Sequence, residues 1–141
     1  MASDLDISYR VGTPEQELKT GDKYDVVIAL EVIEHVRDVG VFVEGLAGQM
    51  TPGGLLILST INRTAKSLVL AKFVAEYVLN WVPRGTHEWT KFVRPSELTH
   101  ALRSKGLSVN AIRGMSFDLA TGEWQPSYDV KVNYILSATK T

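Results

Sequence analysis

Two carboxylates and an imidazole, Glu31, Glu34 and His35, stand at positions i, i+3 and i+4 of the sequence. If the chain turns helically there, the three side chains project to one side. Two hard oxygen donors and one imidazole, with water filling the other positions, suit a divalent cation such as Mg²⁺ or Mn²⁺. A plainer reading stands beside it: Glu34 and His35 open a helix whose dipole favours the carboxylate. A second histidine, His87, lies in Pro83-Arg84-Gly85-Thr86-His87. A neutral imidazole there can take a proton near working pH, and it equally suits a loop-capping role. Asn62 and Arg63 form a further polar pair, able to line a substrate mouth or to cap a turn.

These groups need elements to hold them. The run Val26-Val27-Ile28-Ala29-Leu30 is continuously apolar, as a parallel strand covered on both faces requires. It ends at Glu31, so the candidate groups fall just past the carboxyl end of a strand, where ligands bind in open α/β sheets. Asp6 to Val11 alternates as a short strand. Thr13 and Pro14 read as the cap and first position of a short helix. Asp38 to Met50 has helical spacing. Thr51-Pro52-Gly53-Gly54 predicts a type II turn with Gly53 at positive φ, and Leu55 to Ile61 a second buried strand. From Lys66 to Val82 a narrow polar stripe, Lys72, Glu76 and Asn80, marks an otherwise apolar helix. Pro95 to about Lys105 predicts another helix, closed by Gly106. Leu107–Gly114 and Val130–Thr139 are strand candidates suited to antiparallel pairing across a turn at Asp118–Gly122. Alternating strands and helices with an antiparallel edge predict an α/β sheet.

Composition narrows the chemistry. The 141 residues suit at most one domain, with 45% hydrophobic and 22% charged residues. A net charge of −1 speaks against wholesale nucleic-acid binding. The absence of cysteine removes disulfides, thiolate metal sites and cysteine nucleophiles. The first residues have no secretory pattern, and no apolar run reaches the roughly 20 residues that span a bilayer.

YDVVIALEVIEHVRD followed by TPGGLLILSTINRT resembles the second half of the class I S-adenosylmethionine-dependent methyltransferases. Within that family, EVIEHV, STINRT, AEYVLNWVPRGTH and VNYILSATKT are similar to the ubiquinone-biosynthesis O-methyltransferases, which methylate polyprenylated catechols. The resemblance runs from about Asp6 onward. It implies a partial Rossmann-like sheet, comprising the third to seventh strands with an antiparallel last strand and an inserted amphipathic helix. Residues 1–141 would then be the C-terminal part of one methyltransferase domain, with residues 62–94 a membrane- and substrate-facing insertion. The family's glycine-rich cofactor loop and its ribose-holding acidic residue have no counterpart, and Gly40, Gly45 and Gly48 are scattered along a helix. The implied picture is a piece of a longer enzyme whose Tyr24–Leu30 strand exposes an unpaired edge and apolar surface, leaving the chain marginally stable or oligomeric.

The resemblance also implies roles. Leu30 offers its backbone to S-adenosyl-L-methionine. Glu31, Glu34 and His35 hold Mg²⁺ or another divalent cation, which steadies a catecholate and fixes which hydroxyl faces the methyl group. His87 is the candidate base. Residues 66–82 either bury against the sheet or contact a membrane peripherally, with Arg63, Lys66, Lys72 and Arg84 meeting phosphates. Implied partners are a polyprenylated catechol and a ubiquinone-biosynthesis complex, with no nucleic acid. The implied location is the matrix side of the mitochondrial inner membrane in a eukaryote, or the cytoplasmic face of the inner membrane in a bacterium. Two alternatives stay open: a non-catalytic fragment or scaffold subunit, and a class I methyltransferase acting on another small phenol.

Overall fold

A computed structural model of the chain describes residues 6–68, 89–118 and 121–141. Five strands form one sheet in the order β1-β2-β5-β3-β4. They are β1 (Tyr24–Leu30), β2 (Met50–Ile61), β3 (Leu107–Asp118), β4 (Glu123–Ser127) and β5 (Asn133–Lys140). β1 and β2 run parallel, whereas β5 pairs antiparallel with both β2 and β3. The helices are α1 (Pro14–Glu17), α2 (Val39–Gly48), α3 (Ala65–Ser67) and α4 (Pro95–Ser104).

Local chemistry sets these boundaries. Asp38 caps α2 by accepting a hydrogen bond from the Val41 N–H at 3.0 Å. Pro95 opens α4, where its missing N–H costs nothing, and the Arg94 N–H bonds the Glu97 carboxylate at 3.1 Å. Gly53 takes φ 76°, as the turn requires. That turn is absorbed into β2 as an irregularity: Tyr24 pairs with Met50, but Val26 already pairs with Leu55. Gly114 is needed for close approach, since a Cβ there would lie 2.0 Å from the Asp129 carbonyl oxygen.

The core forms on one face of the sheet. Leu56 and Leu58 of β2 and Tyr134, Leu136 and Ala138 of β5 point to that face and are buried. Phe42, Val43, Leu46 and Ala47 of α2 and Leu98 and Leu102 of α4 close over them. Lys140 reinforces the join by donating to the Ala47 and Met50 carbonyls at 2.8 and 3.0 Å, a cation at the end of α2.

The other face is different. Tyr24, Val26, Ile28 and Leu30 of β1 are all exposed, Ile28 by 59%. β1 is the outermost strand, so among the described residues it has a single neighbour. The apolar run thus forms its strand but, among the described residues, is covered on one face only, where its continuous apolar character predicts burial on both. The exposed edge expected from the family resemblance is present.

One further expectation needs revision, one strand was not foreseen, and one helix is described only in part. Residues 6–11 form no strand, and Ile7, Tyr9 and Val11 are exposed. Alternation alone cannot make a strand without a neighbour to satisfy its N–H and C=O groups. The segment is tied instead by Arg10, which pairs with Asp22 and Glu17 and holds the Asp22 carboxyl below its usual range. β4 was unanticipated because Glu-Trp-Gln-Pro-Ser lacks alternation and contains Pro126. An edge strand tolerates that proline, and Trp124 meets Phe117 with ring centroids 5.3 Å apart. The helix predicted over 66–82 is described only at its start, in α3. The rest, and His87, lie outside the described residues.

Candidate active site

The carboxyl ends of β1 and β2 lie side by side, with Leu30 opposite Ser59. Just past that pair the chain of β1 turns abruptly. Glu31 takes φ 53°, the sole non-glycine residue at positive φ among those described. For a residue with a Cβ this left-handed geometry is uncommon and persists where neighbours enforce it. Ser59 does so. The Glu31 N–H reaches the Ser59 carbonyl and hydroxyl oxygens at 3.1 Å each, and the Ser59 hydroxyl donates to the Glu31 carboxylate at 2.6 Å.

The next residue of β2 holds the second acid. Thr60, fully buried, donates its hydroxyl to the Glu34 carboxylate at 2.7 Å. Glu34 belongs to a tight 3-10 turn, Ile33–His35, and is itself only 4% exposed. Consecutive residues of a strand point to opposite faces. Ser59 and Thr60 therefore hold Glu31 on the open face and Glu34 on the core face.

This overturns the helical premise for the trio. A left-handed residue followed by a 3-10 turn does not stack i, i+3 and i+4 on one side, and His35 is exposed. Among the described residues no group of three or more His, Asp or Glu side chains is placed to hold a metal ion. The donor types remain suitable for a divalent cation, but the arrangement as it stands does not fit one.

Asn62 and Arg63, expected either to line a substrate mouth or to cap a turn, act as ties. The Asn62 amide donates to the Val130 carbonyl at 2.8 Å, and its backbone N–H to Val132 at 2.8 Å. Arg63 pairs with Glu97 and reaches the Thr90 carbonyl. It also lines a cavity of about 320 Å³ with Ile33, Arg37, Lys91 and Phe92. Leu30 is half exposed on the open face, at the carboxyl end of β1.

Behind Glu34 lies Tyr134, whose hydroxyl donates to the Val93 carbonyl at 3.0 Å. Burial, followed by the charges of Glu97 and Glu34, pushes its phenol far above the usual value near 10. A raised folded-state value means the neutral phenol is the form the fold favours. Its contribution is complete below the unfolded value near 10 and is lost as pH rises towards the folded one. The unfolding free energy from urea titrations should fall above pH 10 by up to about 1.4 kcal/mol per pH unit, and Tyr134→Phe should remove that part of the slope.

Against this geometry the comparisons are specific. Residues 4–112 match the family model described as a methyltransferase domain. The chain belongs to that family. This methyltransferase-domain chain is 48% identical over 130 residues to a ubiquinone biosynthesis O-methyltransferase of Azorhizobium caulinodans, a match covering 92% of the chain and 51% of the relative. A protein of the same name from Paramagnetospirillum magneticum is 46% identical over 134 residues, covering 95% and 53%. The chain spans about half the length of the curated relatives it matches. Among solved structures it resembles magnesium protoporphyrin IX methyltransferase from Synechocystis with bound SAH, at TM-score 0.56 and 22% identity over 88% of this chain and 48% of that one. It also resembles a SAM-dependent methyltransferase from Thermotoga maritima, at TM-score 0.58 and 16% identity over 86% and 58%. These likenesses show the fold, a partial Rossmann-like methyltransferase sheet.

Sequence reasoning overlooked Ser59 and Thr60 as the partners of the two acids. Two adjacent hydroxyls closing an otherwise apolar strand, Leu55-Leu56-Ile57-Leu58-Ser59-Thr60, were the available signal.

Proposed function

We propose that this chain forms the substrate-side half of an S-adenosylmethionine-dependent O-methyltransferase of ubiquinone biosynthesis. The observation that carries the reading is the identity of 46–48% across more than nine-tenths of the chain to proteins of that name. The bound cofactor supplies a methyl group on a sulfonium. A phenol oxygen lone pair attacks the methyl carbon, the carbon–sulfur bond breaks with its electrons returning to sulfur, and the phenolic proton passes to a base. Leu30 and Glu31, at the carboxyl end of the edge strand, are the residues of this chain assigned to face the cofactor, with Ser59 fixing the backbone between them. His87 is the proposed base.

The finer parts of the reading are a polyprenylated catechol as substrate, peripheral membrane contact through 66–82, association with a ubiquinone-biosynthesis complex, and residues 62–94 as the membrane-facing insertion. A bacterial protein of this kind would work at the cytoplasmic face of the inner membrane, a eukaryotic one at the matrix side of the mitochondrial inner membrane. A divalent cation on Glu31, Glu34 and His35 is retained from the donor chemistry. It is assigned no step, because the acids lie on opposite faces.

Transfer of labelled methyl to a polyprenylated catechol tests the reading. The assay uses the chain alone and a chimera adding the portion of the Azorhizobium relative that the chain does not match. Labelled catechol from the chimera supports it; transfer only to other phenols overturns the substrate, and transfer to none overturns the activity. Turnover in chelator equal to that in added Mg²⁺ would remove the cation.

A further inference from the structure

The segment after β1, residues 33–39, and the approach to α4, residues 90–101, enclose a cavity of about 320 Å³. Small-molecule sites occupy about 300–1,000 Å³ and are mostly apolar, with a few placed polar groups. The cavity has both parts. Val36, Val39 and Ala101 line it and are only half-buried, so their apolar surface stays open to a ligand.

The polar lining is mainly cationic. Arg37, Arg63 and Lys91 stand beside a single acid, Glu97. Glu97 is committed: one of its oxygens pairs with the Arg63 guanidinium, and the other accepts the Arg94 N–H at 3.1 Å. Arg63 also donates to the Thr90 carbonyl at 3.4 Å, so two acceptors hold its fork in place. The acids close to Arg37 in sequence serve other donors, Asp38 the Val41 N–H and Glu34 the Thr60 hydroxyl. The Arg37 side chain itself is exposed and has no hydrogen bond or ion pair among the described residues.

These features select a ligand class. A guanidinium presents a planar fork that matches a carboxylate through two parallel hydrogen bonds. An apolar wall gains from covering carbon, which a bare inorganic anion lacks. The volume takes one ring or a short branched chain, far less than the two chains of a phospholipid. We infer that this cavity binds a small carboxylate with a compact apolar body, its charge on Arg37 and its carbon against Val36, Val39 and Ala101. Arg63 and Lys91 add positive field at the same opening. The inference goes beyond the methyl-transfer reading and does not depend on it, because a ligand with no hydroxyl satisfies the site.

Titration of the chain with benzoate tests this, followed by calorimetry and by amide shifts in nitrogen-15 NMR spectra. Benzoate has no hydroxyl to methylate, so its binding and the transferase activity fail or stand separately. Saturable binding is expected, with shifts confined to residues 33–39 and 90–101. Benzamide keeps the ring and loses the charge, and should bind at least about tenfold more weakly. Arg37→Gln should weaken benzoate binding by about tenfold or more, and Ala101→Leu, which fills the apolar wall, should abolish it. Arg103→Gln removes an exposed charge of α4 that does not line the cavity, and should change nothing. Circular dichroism checks each variant, and the benzoate–benzamide comparison on the native chain stands whichever variants fold. Absence of saturation below about 10 mM would overturn the inference. So would benzamide or inorganic phosphate binding as well as benzoate, indifference to Arg37→Gln, or shifts that map elsewhere. Binding of short-chain phosphatidylglycerol but not of benzoate would overturn it too, by giving the cavity to a lipid headgroup.

Discussion

Replacing Leu58 with alanine should cost about 2–5 kcal/mol and leave little folded chain at 25 °C. Leu58 is fully buried at the middle of β2, paired with Ala29 on one side and Leu136 on the other. The truncation removes three heavy atoms from the packed core face of a strand hydrogen-bonded on both sides, so the gap cannot easily collapse. Domains are stable by only about 5–15 kcal/mol, and a sheet covered on one face belongs at the low end. Leu30→Ala is the natural contrast. Its side chain is half exposed, and it should cost under about 1 kcal/mol. Urea unfolding followed by circular dichroism measures both. Equal losses at the two positions would show that the core is not where the fold places it.

Thr60→Val should destabilise by about 1.5–3 kcal/mol, although valine fills almost the same space. The cost comes from Glu34, whose buried carboxylate would lose the hydroxyl that donates to it at 2.7 Å. Removing one partner of a buried polar pair leaves the other desolvated without compensation, whereas replacing both with apolar groups is much milder. Thr60→Val combined with Glu34→Leu should therefore be more stable than Thr60→Val alone. A single variant as stable as the native chain, or a double variant worse than the sum of the two, would contradict the assignment. Thr60→Ser keeps the hydroxyl and should recover most of the loss.

Much of the scaffold was legible because its signals are local. The run Val26–Leu30, the Asp38 cap, the Pro52-Gly53 turn and Pro95 each act within a few residues, and β1, α2, β2 and α4 fall close to where those signals put them. β5 was legible through alternation, Tyr134 and Leu136 inward with Ile135 and Ser137 outward. What stayed hidden depends on partners distant in sequence. Asp6–Val11 alternates equally well yet has no neighbouring strand among the described residues. β4 exists because Phe117 and Trp124 meet across a hairpin. The acids illustrate the limit most clearly: spacing brought Glu31, Glu34 and His35 together on a notional helix. Their actual directions are decided by two hydroxyls more than two dozen positions away, and nothing within EVIEH announces a left-handed Glu31.

The placement of β5 bears on how this sheet comes into being. Asn133–Lys140 is synthesised after every other described strand, yet it sits between β2 and β3 and joins them. Until it leaves the ribosome, the nascent chain holds a β1–β2 pair and a β3–β4 hairpin with nothing to bridge them, so collapse into the finished sheet must wait for translation to pass Lys140. A stalled or prematurely terminated product would therefore present two unjoined pieces with four raw edges, a ready substrate for chaperones and proteases.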